Sequence, residues 1–297
     1  SGPGIGIQLT RGAHAGRLII PFNEGPFYEW NNFAVFSDDG GRHWQWGENV
    51  PGAFVPDAKR GRRSQINEVQ MVELNDGSVR LNSRQFAGAK LRKTAVSRDG
   101  GETWSPIEDV PALRDPSCNA SVLRYSFDDA AGLGRIIYSG PDSTNRSNGT
   151  IHLSLDDGVT WPTKRVLRPG GFAYSVLTRL SDGTIGCLFE PNDARRILFA
   201  RFPLAWVEAG NSPQGENPPV SAGPTAEKTE ARAACDMRAR VAKQAILSLE
   251  YSLFFACPPP AKSSRASLLL RPASSTSAAP ARRCSTGSSR ATPKASS

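Results

Sequence analysis

The stretch Ser97-Arg98-Asp99-Gly100-Gly101-Glu102-Thr103-Trp104 reads as a turn that supplies its own hydrogen-bond partners. An aspartate in a turn accepts backbone N–H bonds from its own loop, glycine takes φ > 0 at no steric cost, and serine and threonine hydroxyls close the remaining bonds. The tryptophan that ends it is large enough to plug the apolar gap beside a hairpin. Ser154-Leu155-Asp156-Asp157-Gly158-Val159-Thr160-Trp161 repeats the pattern S-x-D-x-G-x-T-W in full, and Ser37-Asp38-Asp39-Gly40-Gly41-Arg42-His43-Trp44 repeats it with His43 for the threonine. The three copies begin 60 and 57 residues apart. Such a period marks a repeat architecture with generous loops. Asp39, Asp99 and Asp156 are therefore assigned to folding and not to acid catalysis.

A second repeat lies between the turns. Ile5–Phe22 around Ala15-Gly16, Glu68–Arg84 around Asp76-Gly77, Ser121–Ser139 around Gly132-Leu133-Gly134, and Tyr174–Glu190 around Asp182-Gly183 each pair two β-prone runs across a tight turn. Asp-Gly between alternating apolar residues is a strong hairpin signal. Val69, Met71, Val79 and Leu81 alternate with polar neighbours, as half-buried strands do. No segment before residue 208 has a helical period, and Leu204-Ala205-Trp206 reads as the end of a last strand. Repeated four-stranded units of this kind predict an all-β propeller, with about four blades in this chain.

Composition changes near Val207. Residues 208–297 carry 12 Lys/Arg against 6 Asp/Glu, whereas residues 1–207 carry 24 against 22. The basic character belongs to the tail and is no argument for a nucleic-acid-binding fold. Residues 1–207 are expected to be the propeller, and 208–297 a non-domain C-terminal tail rich in Ser, Ala, Pro and Arg. Within it, Lys228 to Ala256 is rich enough in Ala, Arg, Lys and Leu for a short helix. From Pro258 onward there is too little apolar content to offset ordering entropy. The longest apolar stretch, Ile246 to Cys257, is interrupted by Glu250 and is too short to span a bilayer. Five scattered cysteines make no disulfide framework, and neither they nor His14, His43 and His152 show metal-ligand spacing, so no metal or cofactor is expected. Asn119, Asn145 and Asn148 each begin an N-x-S/T sequon, and compartment and oligomeric state stay open.

Tandem turns of this type also fit other propellers, among them xyloglucan-cleaving glycosidases and non-enzymatic assembly factors. Pro3-Gly4-Ile5-Gly6-Ile7-Gln8-Leu9, Asn67-Glu68-Val69-Gln70, Asn82-Ser83-Arg84 and Phe172-Ala173-Tyr174-Ser175 narrow the choice. Together they resemble the exo-α-sialidases (neuraminidases) of bacterial and lysosomal type, from about Gly2 to Trp206. The resemblance implies a six-bladed propeller with its site at the central axis and a sialylated glycan as substrate. It implies that Tyr174 is the nucleophile and Glu68 the group that takes its proton. Arg84 and Arg146 match the second and third arginines of a triad that grips the substrate carboxylate, and Glu190 matches the glutamate that braces the first arginine. That first arginine and the acid/base aspartate are expected in blades preceding Ser1, which would impair hydrolysis by this chain alone.

The residue chemistry agrees. Sialic acid carries a carboxylate on its anomeric carbon, so an Asp or Glu nucleophile would approach against like charge. A tyrosine is neutral until it attacks, and sialidases are the tyrosine exception among glycosidases. An unperturbed phenol has a pKa of about 10, so a positioned carboxylate must accept its proton. Arginine pairs bidentately with a carboxylate and stays charged. Taken singly, Tyr174 is an ordinary strand aromatic, Glu68 and Glu190 solvated strand residues, and Arg84, Arg146 and Arg92 surface cations. The placement of Glu68, Tyr174 and Glu190 at equivalent ends of repeated hairpins, where a propeller brings strand ends to one axial face, favours reading the five together as a site. Asn119 is a further candidate to face the pocket. The rival function is an inactive or glycan-binding propeller fragment.

Overall fold

The computed structural model describes residues 4–129, 134–192, 196–211 and 220–222. It contains four four-stranded antiparallel sheets in chain order. The first comprises β1 (Ile7–Gln8), β2 (Leu18–Glu24), β3 (Asn31–Ser37) and β4 (Gln45–Trp46). A small hairpin, β5 (Phe54–Asp57) and β6 (Gly61–Ser64), leads into the second, β7 (Ile66–Glu73), β8 (Val79–Gln85), β9 (Leu91–Ser97) and β10 (Glu108–Arg114). The third is β11 (Ser121–Ser126), β12 (Arg135–Pro141), β13 (Ser147–Ser154) and β14 (Thr163–Gly171). The fourth is β15 (Ser175–Arg179), β16 (Ile185–Phe189), β17 (Leu198–Phe202) and β18 (Val220–Ala222). Every neighbour is sequential, as in propeller blades.

The repeated turns close as their residue types dictate. In the second blade Ser97 Oγ donates to Asp99 Oδ1 at 2.7 Å and accepts the Gly101 N–H at 2.7 Å, while Thr103 donates its N–H to Asp99 Oδ1 at 2.9 Å. Ser154, Asp156, Gly158 and Thr160 repeat the network in the third blade. In the first blade His43 stands in for threonine, its ring nitrogen 2.5 Å from Asp39 Oδ2. Trp104 and Trp161 are buried beside their hairpins.

The core lies between blades. Leu9, Ile19 and Phe36 of the first meet Ile66, Met71, Leu81 and Trp104 of the second. Val72, Leu74 and Leu113 meet Val122, Ile136 and Tyr138 of the third. Ile137, Ile151 and Leu167 meet Leu177, Phe189 and Phe202 of the fourth. The half-buried alternation expected of β7 and β8 is thus incomplete. A blade between two others buries both faces, so Gln70, Val72 and Asn82 are as enclosed as Val69 and Met71.

Two short elements differ from the sequence expectation. Leu204–Glu208 forms a helix (α1), not a strand end: Pro203 breaks the ladder with φ −75°, and the buried Val207 turns inward. Arg165 stacks over the Trp206 ring at 4.5 Å and donates to its carbonyl at 2.9 Å, tying the helix to β14. Strand β18 falls beyond Val207, pairing Val220, Ser221 and Ala222 with Ala200, Phe199 and Leu198. The helix expected over 228–256 and the segment from Pro258 lie outside the described residues.

Candidate functional site

Four side chains converge at one end of the blades. Asn67 and Glu68 oppose Arg84 in a β-bulge, for the register passes from Ile66↔Gln85 directly to Val69↔Ser83. A bulge re-aims a side chain, and here it turns Glu68 toward the residue it faces. Arg84 Nη1 donates to Glu68 Oε2 at 2.7 Å. Tyr174 immediately precedes β15, and its hydroxyl reaches across from the fourth blade to donate to Glu68 Oε1 at 2.6 Å. The same hydroxyl accepts a bond from Arg84 Nη1 at 2.9 Å. Arg146, just before β13, holds its guanidinium carbon 5.3 Å from the centre of the Tyr174 ring and donates to the Ser117 carbonyl at 3.1 Å.

The Tyr174 hydroxyl therefore has a proton acceptor on one side and a cationic donor on the other. Burial and the hydrogen bond to Glu68 push its pKa up to about 12, against a smaller opposing pull from Arg84 and Arg146. It is a neutral phenol at physiological pH. Burial works against the Arg84 charge, but its bond and attraction to Glu68 win, and its pKa is raised. Chemically, the arrangement can deprotonate a phenol at the moment it attacks and steady the developing negative charge with a fixed cation.

Glu190 stands opposite Tyr174 through its main chain: its N–H donates to the Tyr174 carbonyl at 2.9 Å and its own carbonyl accepts from Ala173 at 2.8 Å. Its side chain is exposed. Asn119 is buried, so its sequon is enclosed in the fold. Arg92 is a correction. It is fully buried, not a surface cation, because Asp115 pairs with it at 2.9 Å and Asn82 accepts from its Nε at 2.8 Å. The sequence reading does not single out Asp115 or Ser117, though Asp115-Pro116-Ser117 is a turn signature. Among the described residues no group of three or more His, Cys, Asp or Glu is placed to hold a metal. No described helix is long and apolar enough to cross a membrane.

Fold and site together define a β-propeller of Asp-containing turn repeats with a tyrosine–carboxylate–arginine centre. The family model described as a BNR repeat-like domain matches residues 1–187. The sialidase of Micromonospora viridifaciens is 43% identical over 212 residues, spanning 69% of this chain and 30% of that protein. A Vibrio cholerae sialidase is 32% identical over 236 residues, spanning 70% of this chain and 29% of its own. Among solved structures, the intramolecular trans-sialidase from Ruminococcus gnavus, in complex with oseltamivir carboxylate, superposes with a TM-score of 0.56 at 30% identity. That match covers 69% of this chain and 44% of that one. The chain belongs to the sialidase family with BNR repeats. It spans about 30% of the length of the first two relatives.

Proposed function

We propose that the site removes terminal sialic acid from glycoconjugates with retention of configuration, through a glycosyl–tyrosine intermediate on Tyr174. The observation that carries the reading is the pair of bonds on one phenol oxygen, to Glu68 at 2.6 Å and from Arg84 at 2.9 Å. In the first step the Tyr174 oxygen bonds to the anomeric carbon, its proton passes to Glu68, and the glycosidic C–O bond breaks with its electron pair leaving on the aglycone oxygen. In the second, water attacks the same carbon, the bond from that carbon to the phenol oxygen breaks with its pair on oxygen, and that oxygen takes its proton back from Glu68. The proton lost by the water goes to solvent, which supplies the one taken up by the aglycone oxygen. Arg84 and Arg146 flank Tyr174 and would meet the carboxylate on that carbon. Glu190 is assigned to bracing the first arginine of the triad, from the strand end that pairs with Tyr174. The catalytic propeller would extend past residue 207 as far as β18, which completes the fourth blade, with the remainder of the basic tail outside it.

The test is release of a fluorogenic phenol from its α-sialoside, with Tyr174→Phe as control. Turnover that the substitution abolishes is the expected result. Binding of sialylated glycan without turnover would instead favour the rival, a glycan-binding module.

A further inference from the structure

We propose that Asp115 is a positioning residue that holds Arg84 and Arg146 in a common register, so that both meet one substrate carboxylate. The inference rests on the sialic-acid reading above and extends it to a residue that touches no substrate. Asp115 is 1% exposed and lies between β10 and β11. Its Oδ2 accepts the backbone N–H of Gln85, the neighbour of Arg84, at 2.7 Å, and Arg92 Nη1 at 2.9 Å. Its Oδ1 accepts the N–H of Cys118 at 2.8 Å. Cys118 follows Ser117, whose carbonyl holds Arg146. One carboxylate is thus bonded to the backbone beside the anchor of each arginine.

Two further features point the same way. Ser117 has φ 62°, a left-handed conformation that a residue with a Cβ keeps only where its surroundings over-determine it. The Asp115–Cys118 bond does this, together with Gln85, whose Nε2 donates to Ser117 Oγ at 3.1 Å and to the Asp115 carbonyl at 3.4 Å. Arg92 pairs with the Asp115 carboxylate at 2.9 Å and itself donates to the Cys118 carbonyl at 2.9 Å. A buried ion pair is weak support for stability as such, since apolar residues of similar volume often do as well. This pair instead directs its bonds at the two segments that present the arginines, where small displacements are costly to function.

The test compares binding of 2,3-didehydro-2-deoxy-N-acetylneuraminic acid with that of its methyl ester by calorimetry. Their affinity ratio isolates the grip on the carboxylate. The double variant Arg92→Met/Asp115→Asn removes both charges at once, leaving no unpaired buried ion. It is expected to lower the acid-to-ester ratio by roughly tenfold or more while leaving ester affinity near that of the parent. Gln85→Leu keeps the ion pair and cuts only the ties to Ser117 and the Asp115 carbonyl; its ratio should fall in the same direction by less, which decides the matter if the double variant does not fold. A parent protein that does not prefer the acid overturns the carboxylate grip, and this inference with it. A parent that prefers the acid, with the preference unchanged in the folded variants, overturns the role of Asp115 alone.

Discussion

Tyr174 and Glu68 lie 106 residues apart in the chain, and the phenol of one donates to the carboxylate of the other at 2.6 Å. The contact joins the second blade to the fourth and fixes both where the phenol's proton sits and where its oxygen points. Glu68→Gln keeps the shape and removes the proton acceptor. Turnover should fall by about 10²–10⁴-fold, as for loss of a general base, with KM changed far less. The same substitution should lower the Tyr174 pKa from about 12, because the bond to Glu68 is one of its raising causes. Ultraviolet absorbance titration of parent and variant checks this directly.

Alkaline pH should loosen the fold in a defined window. Burial pushes the Cys118 and Cys187 thiols from 9.0 to about 12, and Tyr174 rises from 10.0 to about 12. A group whose folded pKa is raised contributes stability that is complete below its unfolded pKa and is lost as pH climbs toward the folded value. Thermal midpoints should therefore hold up to about pH 9 and fall from there toward 12. Cys187→Ala should make that decline shallower. An unchanged slope in the variant would remove the buried thiol from the account.

Asp99 tests the assignment of the turn aspartates to folding. It accepts from Ser97 Oγ, Thr103 N–H and Thr103 Oγ. Asp99→Ala should cost about 1–2 kcal/mol in denaturant unfolding, the scale of hydrogen bonds to a charged group shared with solvent. Affinity for sialic-acid ligands should stay at the parent level.

What the sequence made legible is local. Asp-Gly turns and the S-x-D-x-G-x-T-W pattern close within a few residues, so they can be read without knowing what packs on them. Tyr174, Glu68 and Arg84 could be placed at hairpin ends, and the structure brings all three into contact. The bulge that aims Glu68 is not legible, because it is a mismatch between two strands and leaves no mark on either alone. The burial of Arg92 depends on Asp115, 23 residues on, and the two-faced burial of β7 and β8 on neighbouring blades. Strand β18 is three residues long, too short to show alternation.

The central claim is that Tyr174 attacks the anomeric carbon. An activated sialosyl fluoride bearing a second fluorine at C3 should slow breakdown of the glycosyl–enzyme more than its formation, leaving the adduct to be found by peptide mass spectrometry. The predicted result is one added glycosyl group on the peptide containing Tyr174, absent from Tyr174→Phe. A glycosyl group on any other residue, or release of the second fluoride-bearing sugar with no adduct and undiminished turnover in Tyr174→Phe, would contradict it.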